Sequence, residues 1–339
     1  MLKYRKKSLK NILIGIFLLP IIVATLVCLY TFCIHSTVKT ATVFDVVRGD
    51  SVTGVANRLV KQNLIDSKDA FVALVRFNGG KIQSGQYDIS KSASLWRIVR
   101  MMVSGDVATT TIVVPEGLTV KQIKELLLQH SGLQGTVECA DNKSRPVCSL
   151  KEGQLFPDTY RVARGTNRLA VLELMRKKMV DVNNHIKGAY RVLPRPLRDW
   201  HDVLILASIV QKETPITREM PIVASVYLNR LNNGMRLQAD PTVVYAVTGG
   251  LGDMQGKPLL SGHLKTDSPY NTYRNSGLPP TPIANVGQNA IRAVMRPAET
   301  NFLFFVADGQ GGHRFSVDYE QHKKNHDAWR EIKKSKNKF

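Results

Sequence analysis

From Ile12 to Ile34 the chain carries no charged residue, and the run ILIGIFLLPIIVATLVCLYTFCI is almost wholly apolar. As an α-helix rising about 1.5 Å per residue, such a segment spans the roughly 30 Å hydrocarbon core of a bilayer. Pro20 can kink it, which membrane helices tolerate. Lys3, Arg5, Lys6, Lys7 and Lys10 precede the run, so residues 1–11 are expected in the cytoplasm and everything after His35 outside. This predicts a single-pass protein of the cell inner membrane with a periplasmic body. The alternative is a cleaved signal peptide, but the run exceeds a typical signal h-region and no A-x-A-like cleavage site follows it. Cys28 does not suit a lipoprotein site either, because the residue before it is the bulky Val27.

At 339 residues the chain is long enough for two or three small domains. Its formal charge of +20 is concentrated partly at the two ends, in the basic N-terminus and the tail KKSKNKF. Such a surface fits an anionic partner, either nucleic acid, lipid head groups or an acidic polymer. Export of the body excludes intracellular nucleic acid. Cys28 and Cys33 fall inside the apolar run, where they act as small hydrophobes. Cys139 and Cys148 bracket the polar loop ADNKSRPV in the exported part, and an oxidising compartment favours a disulfide between them.

The exported chain opens with TATVFDVVRGDSVTGVANRLVKQNLI. It reads as a strand, a turn at Gly49-Asp50 and a helix with Val52, Val55 and Leu59 on one face. A second helix from about Asp66 carries Phe71, Leu74 and Val75 and ends at NGG, and KIQSGQYDIS is again a strand. This strand–helix–helix–strand order resembles LysM, a small sugar-binding module; a small α+β spacer is the other reading. A helix at Leu95–Val103, the strand TTTIVVPEG and a helix at Val120–Leu128 follow, with a domain boundary expected near Lys151. The later half holds a helix over 168–184, an apolar helix ending at Glu213, another at Ile222–Leu231 and the strand FLFFVAD. Without βαβ regularity, the expected fold class is α+β. In outline, residues 12–34 form one transmembrane helix, and 40–150 a LysM-like glycan-binding module with a connecting region. Residues 151–330 form a mixed α/β catalytic domain, and 331–339 a basic tail.

Glu213 is the chemically suggestive residue. On a helix it lies four residues after Ile209, three after Val210 and seven after Leu206, so it shares their apolar face. A carboxyl held against apolar side chains has its charged form disfavoured and its pKa raised, as a general acid near neutral pH requires. A solvated glutamate in the last turn of a helix is the plainer alternative. The loops LQADPTVVY (237–245), SPYNTYRNSGLPPTPI (268–283) and VADGQGGHRF (306–315) supply tyrosines, an amide and turn residues. Aromatic faces beside short polar groups suit sugars, although Pro, Gly and Asn also simply make turns. The sequence has no G-x-S-x-G and no P-loop, and GGLGDMQG lacks the context of a dinucleotide site. His322 and His326 stand four apart without an accompanying H-E-x-x-H glutamate, so no metal is expected.

The motifs ASIVQKET, VASVYLNRL, GMRLQADPTVVY, YNTY, GLPPTPI and FLFFVADGQGGHRF occur in this order. With them the chain resembles the membrane-anchored endolytic lytic transglycosylases of peptidoglycan, the YceG-like (MltG) family, from the apolar run to about Asn325. The resemblance implies that Glu213, the second acid of an E-K-E-type motif, is catalytic, with Gln211 standing where the family has the first glutamate. Thr281 stands where a glycine is usual after the paired prolines. By the same resemblance Glu219, Asp240, Tyr270, Asn271 and Tyr273 line the cleft and bind substrate.

What the resemblance implies for function is cleavage of the MurNAc–GlcNAc β-1,4 bond within nascent glycan strands, leaving 1,6-anhydro-MurNAc ends and terminating elongation. The implied partners are peptidoglycan glycan strands, the membrane and peptidoglycan synthases, with no cofactor. A non-catalytic, membrane-anchored glycan-binding scaffold is the competing reading.

Overall fold

The structure, a computed structural model, describes residues 19–27, 38–139, 146–254 and 256–336. Residues 19–27 are helical (α1), and Leu19, Ile21, Ile22, Val23 and Leu26 are exposed there. The remainder of the expected 12–34 span lies outside the described residues. Among the described residues no helix is long and apolar enough to cross a membrane. The protein is a mixed α+β molecule with small two-stranded sheets. It divides into two compact units, residues 1–110 with 161–165, and residues 111–160 with 166–339. The division therefore comes earlier than a boundary near Lys151, because the segment after Thr110 packs with the C-terminal half rather than with the module before it.

The first unit contains the expected strand–helix–helix–strand order. β1 (Thr42–Val46) is followed by α2 (Val52–Lys61), α3 (Lys68–Phe77) and β2 (Gly85–Ile89), then by α4 (Leu95–Ser104). Three serines start its helices, each accepting the backbone N–H of the residue three positions on: Ser51 from Gly54, Ser67 from Ala70 and Ser94 from Arg97. β1 and β2 pair antiparallel with Phe44 opposite Tyr87, and the strand period of two turns Phe44, Val46, Tyr87 and Ile89 inward. They meet Val55, Leu59, Phe71 and Val75 from α2 and α3, and Ile98 and Met102 from α4. The turn at Gly49 and Asp50 is closed by the Asp50 carboxylate, which accepts from the Val47 N–H and from Arg58.

β3 (Thr109–Val113) pairs with β5 (Thr159–Ala163). In the second unit α5 (Val120–Gln129) begins with a reciprocal capping box between Thr119 and Gln122. β4 (Leu133–Gln134) pairs in parallel with β6 (Thr166–Asn167), and Cys139 and Cys148 are joined in a disulfide. The long α6 (Arg168–Ala189) then leads to α7 (Trp200–Glu213) and α8 (Met220–Asn232). α9 (Asp240–Val247), α10 (Gln288–Met295), the hairpin β7 (Phe304–Ala307) and β8 (His313–Ser316), and α11 (Tyr319–Lys336) complete the chain.

The core of this unit is α7 against α8 and α10, filled by Leu206, Ile209, Val210, Val223, Ala224, Ile291 and Val294. Ser208, the one polar residue of the apolar run, is fully buried. Its hydroxyl donates to the Ile205 carbonyl and accepts from the Ile283 N–H at 3.0 Å, tying the proline-rich loop to α7. Three helices stand where the sequence suggested loops or tail. α9 starts on Asp240-Pro241, and proline is at home in a first helical turn because its missing N–H would lack an intrahelical partner there. α10 and α11 are the others, and the basic tail expected from residue 331 continues α11 as far as Lys336.

Candidate active site

α7 ends at Glu213, a residue of intermediate exposure overall. The helix stops because Thr214 turns to an extended backbone, and its hydroxyl accepts the Ile216 N–H. Glu213 opens into a cavity of about 270 Å³ lined also by Tyr227, Arg230, Gln238, Asp240, Tyr273 and His322. The apolar part of its lining comes from Leu237, Phe304, Phe305 and Tyr319. Five separate segments thus meet at one carboxyl.

Tyr227 and Arg230 come from α8, three residues apart and therefore on one face. The Tyr227 hydroxyl donates to Glu213 Oε1 at 2.5 Å. Burial, the Glu213 charge and this bond keep the phenol protonated well beyond its usual range, so it remains a donor. Burial is the main cause that pushes the Glu213 carboxyl up to about 7, and the Asp240 charge adds to it. The Tyr227 bond and Arg230 oppose the rise without cancelling it. The C-terminal end of a helix also disfavours a negative charge. Glu213 is therefore poised to change protonation state near neutral pH.

Arg230 is only 8% exposed. Its Nε donates to the Leu303 carbonyl at 2.6 Å and Nη1 to the Leu237 carbonyl at 2.8 Å, with the guanidinium 5.2 Å from the Phe304 ring centre. It joins the start of the hairpin and the segment before α9 to the helix that carries Tyr227. Facing it, the Tyr273 hydroxyl donates to Asp240 Oδ1 at 2.6 Å. Behind that pair, the buried Thr272 hydroxyl accepts the Ala239 N–H and meets the Thr242 hydroxyl at 2.8 Å. These contacts fix Asp240 and Tyr273 on opposite sides of one loop–helix junction.

Of the five residues expected to bind substrate, Asp240 and Tyr273 line the cavity with Glu213, while Glu219, Tyr270 and Asn271 do not. Glu219 is buried and accepts from the His313 backbone N–H, while its Oε2 lies 2.7 Å from His313 Nδ1, anchoring the β7–β8 turn. Asn271 is fully buried, donating to the Leu264 and Thr266 carbonyls and accepting from the Tyr273 N–H. It shapes the loop that delivers Tyr273. The Tyr270 hydroxyl lies 2.7 Å from Thr281 Oγ1, so the threonine in the glycine position of the proline-rich loop supplies its partner.

Gln211 is turned away from the cavity, and its Oε1 accepts from the Gly287 N–H at 3.1 Å, at the start of α10. Gln211→Glu is accordingly expected to change turnover less than tenfold, since a carboxylate can accept the same bond and position 211 points just over half a turn from 213. Steady-state rates of the two proteins check this.

Sequence reasoning missed Tyr227 and Arg230, although both lie within the motif VASVYLNRL. Their spacing of three, which puts both on one face of a largely apolar helix, was the available signal. Tyr319 had none, because α11 was not anticipated, and His322 was weighed only as a metal ligand paired with His326. Among the described residues no group of three or more His, Cys, Asp or Glu is placed to hold a metal ion.

Over 309 residues the chain is 29% identical to a Bacillus subtilis protein named endolytic murein transglycosylase, with 84% of each chain covered. A Streptococcus pneumoniae protein of the same name is 25% identical over 314 residues, covering 82% of this chain and 56% of its own length. The crystal structure of a YceG-like protein from Listeria monocytogenes matches with a TM-score of 0.51 and 28% identity, covering 84% of this chain and 99% of that one. The family model described as YceG-like matches residues 44–328, and with that extent of match the chain belongs to the YceG-like family.

Proposed function

We propose that this protein is a membrane-anchored endolytic lytic transglycosylase. It cleaves the MurNAc–GlcNAc β-1,4 bond within nascent peptidoglycan strands and so terminates their elongation. The observation that carries the reading is the Glu213 carboxyl, pushed up to about 7 beside the protonated Tyr227 hydroxyl in a cavity with aromatic walls, where the second carboxyl, Asp240, is held by Tyr273. The similarity to proteins named endolytic murein transglycosylase supports the substrate. The charge step before the apolar run supports a cytoplasmic N-terminus, a span at 12–34 and a periplasmic body. Glycan strands, the membrane and peptidoglycan synthases are the partners in this reading.

Ordinary glycosidases use two carboxyl groups because water or an enzyme nucleophile must act from the second side. One carboxyl suffices when the sugar's own C6 hydroxyl is the nucleophile. Protonated Glu213 donates to the glycosidic oxygen as the C1–O bond breaks and the GlcNAc hydroxyl leaves. The C6 oxygen then bonds to C1, and the Glu213 carboxylate takes the proton from that hydroxyl, restoring the acid. No water is consumed. Tyr227 holds one carboxyl oxygen, leaving the other to carry the transferred proton.

Purified protein incubated with peptidoglycan should release fragments one water lighter than hydrolysis products, ending in 1,6-anhydro-MurNAc, as read by mass spectrometry. Products with free reducing ends, or binding without any release, would overturn the assignment.

Because the first step needs the protonated acid, kcat/KM should fall as pH rises through about 7. Tyr227→Phe removes a bond that favours the carboxylate, so Glu213 should hold its proton to higher pH and the descending limb should move upward. A pH–rate profile of both proteins checks the sign. A shift to lower pH would contradict the role given to Tyr227.

A further inference from the structure

The first unit carries a cavity that the catalytic reading does not use. It encloses about 760 Å³ and is lined by Trp96, Arg97, Arg100 and Met101 of α4, by Asp88 and Asp106, and by Arg161 of the returning segment. These residues belong to one compact unit. Trp96, Arg97, Arg100 and Met101 recur at helical spacing, so one face of α4 supplies an indole, a thioether and two guanidinium groups. Arg97 and Arg100 are exposed, and among the described residues neither has an ion-pair partner. Arg161 is held in place by its Nε donating to Thr109 Oγ1 at 2.9 Å, and Asp88 by Arg164 at 3.2 Å.

We propose that this cavity binds the carboxylate-bearing peptide of the glycan strand, the part of the substrate that the cavity at Glu213 does not process. The inference rests on the peptidoglycan reading above and extends it to a second site. Guanidinium forks match carboxylates in a planar, two-bond geometry. The indole offers a flat apolar surface to the adjoining sugar or side chain. Asp88 and Asp106 accept from amide N–H and hydroxyl groups, which a peptide on a sugar presents together with its carboxylates. Two carboxylates among the arginines of a concave pocket suit a ligand that carries donors and carboxylates close together better than a uniformly anionic lipid surface.

The test uses full-length Glu213→Gln protein in detergent, so that binding is read without turnover. The probe is an N-acetylmuramyl peptide with two free carboxylates, compared with its bis-amide, by calorimetry or fluorescence of bound probe. Adding Arg97→Gln and Arg100→Gln should weaken binding of the acid at least about tenfold, while the bis-amide should bind weakly with or without them. Both arginines are exposed, so the fold should be unaffected. Equal affinity of acid and bis-amide, or of the two proteins for the acid, would overturn the proposal. So would a loss confined to binding of phosphatidylglycerol vesicles, which would mark the cavity as a membrane contact. Wild-type protein assayed in parallel on intact strands keeps the two readings apart: absence of anhydro ends would sink the catalytic assignment, whereas the binding result stands or falls alone.

Discussion

Glu213→Gln should lower the release of anhydro-ended fragments by about 10²- to 10⁴-fold, the usual cost of losing general acid–base help, with substrate binding retained. The amide has nearly the shape of the acid and still accepts from the Tyr227 hydroxyl, so the cavity keeps its geometry. It can neither donate the proton to the leaving oxygen nor take one from the C6 hydroxyl, and both steps depend on this one side chain. Single-turnover assays on purified strands, with a binding measurement alongside, separate the chemical effect from any loss of affinity. A variant that still produces anhydro ends at near wild-type rate would shift the acid/base role to Asp240, the other carboxyl lining the cavity.

Arg230→Met should be the most destabilising single change near the site, by roughly 2–5 kcal/mol, because carbonyl groups at Leu303 and Leu237 lose their charged donor in the interior. Methionine fills much of the stem volume, so the loss is chiefly of hydrogen bonds rather than of packing. Activity should fall with stability, since Arg230 joins the Tyr227 helix to the segments before β7 and α9. Lys324→Met is the control: the Lys324 and Glu320 side chains are 67% and 81% exposed, and a pair exposed on both sides contributes about 0–1 kcal/mol. Denaturant unfolding of the two variants should rank them in that order, and a smaller loss for Arg230 would mean that its bonds do not hold the hairpin and loop together.

Local rules carried far along this chain. Apolar residues at helical spacing made α2 and α3 legible, and the turn at Gly49-Asp50 and the NGG stretch marked off the strands β1 and β2. Helical spacing put Glu213 on the face of α7 shared with Leu206, Ile209 and Val210 but left a solvated glutamate as the plainer alternative, which its place beside Tyr227 in the cavity overrules. Local signals failed where one residue type serves two purposes. Asp240-Pro241 reads equally well as a turn or as the first turn of a helix, and burial of Thr242 against Thr272 selects the helix.

The sequence by itself determined the existence of the acid, its helix and its apolar surroundings, because these depend on residues within two turns of one another. Only the tertiary structure decided which groups act on that acid. Tyr227 reaches it from α8, Asp240 and Tyr273 from a loop junction, and His322 from a helix more than a hundred residues away. No spacing rule relates such positions, since their meeting depends on how α7, α8 and α10 pack and on the bonds that Arg230 makes to distant carbonyls. The same physics separates Asp240 from Glu219: both carboxylates sit in recognisable motifs, yet one opens into the cavity and the other is closed against His313.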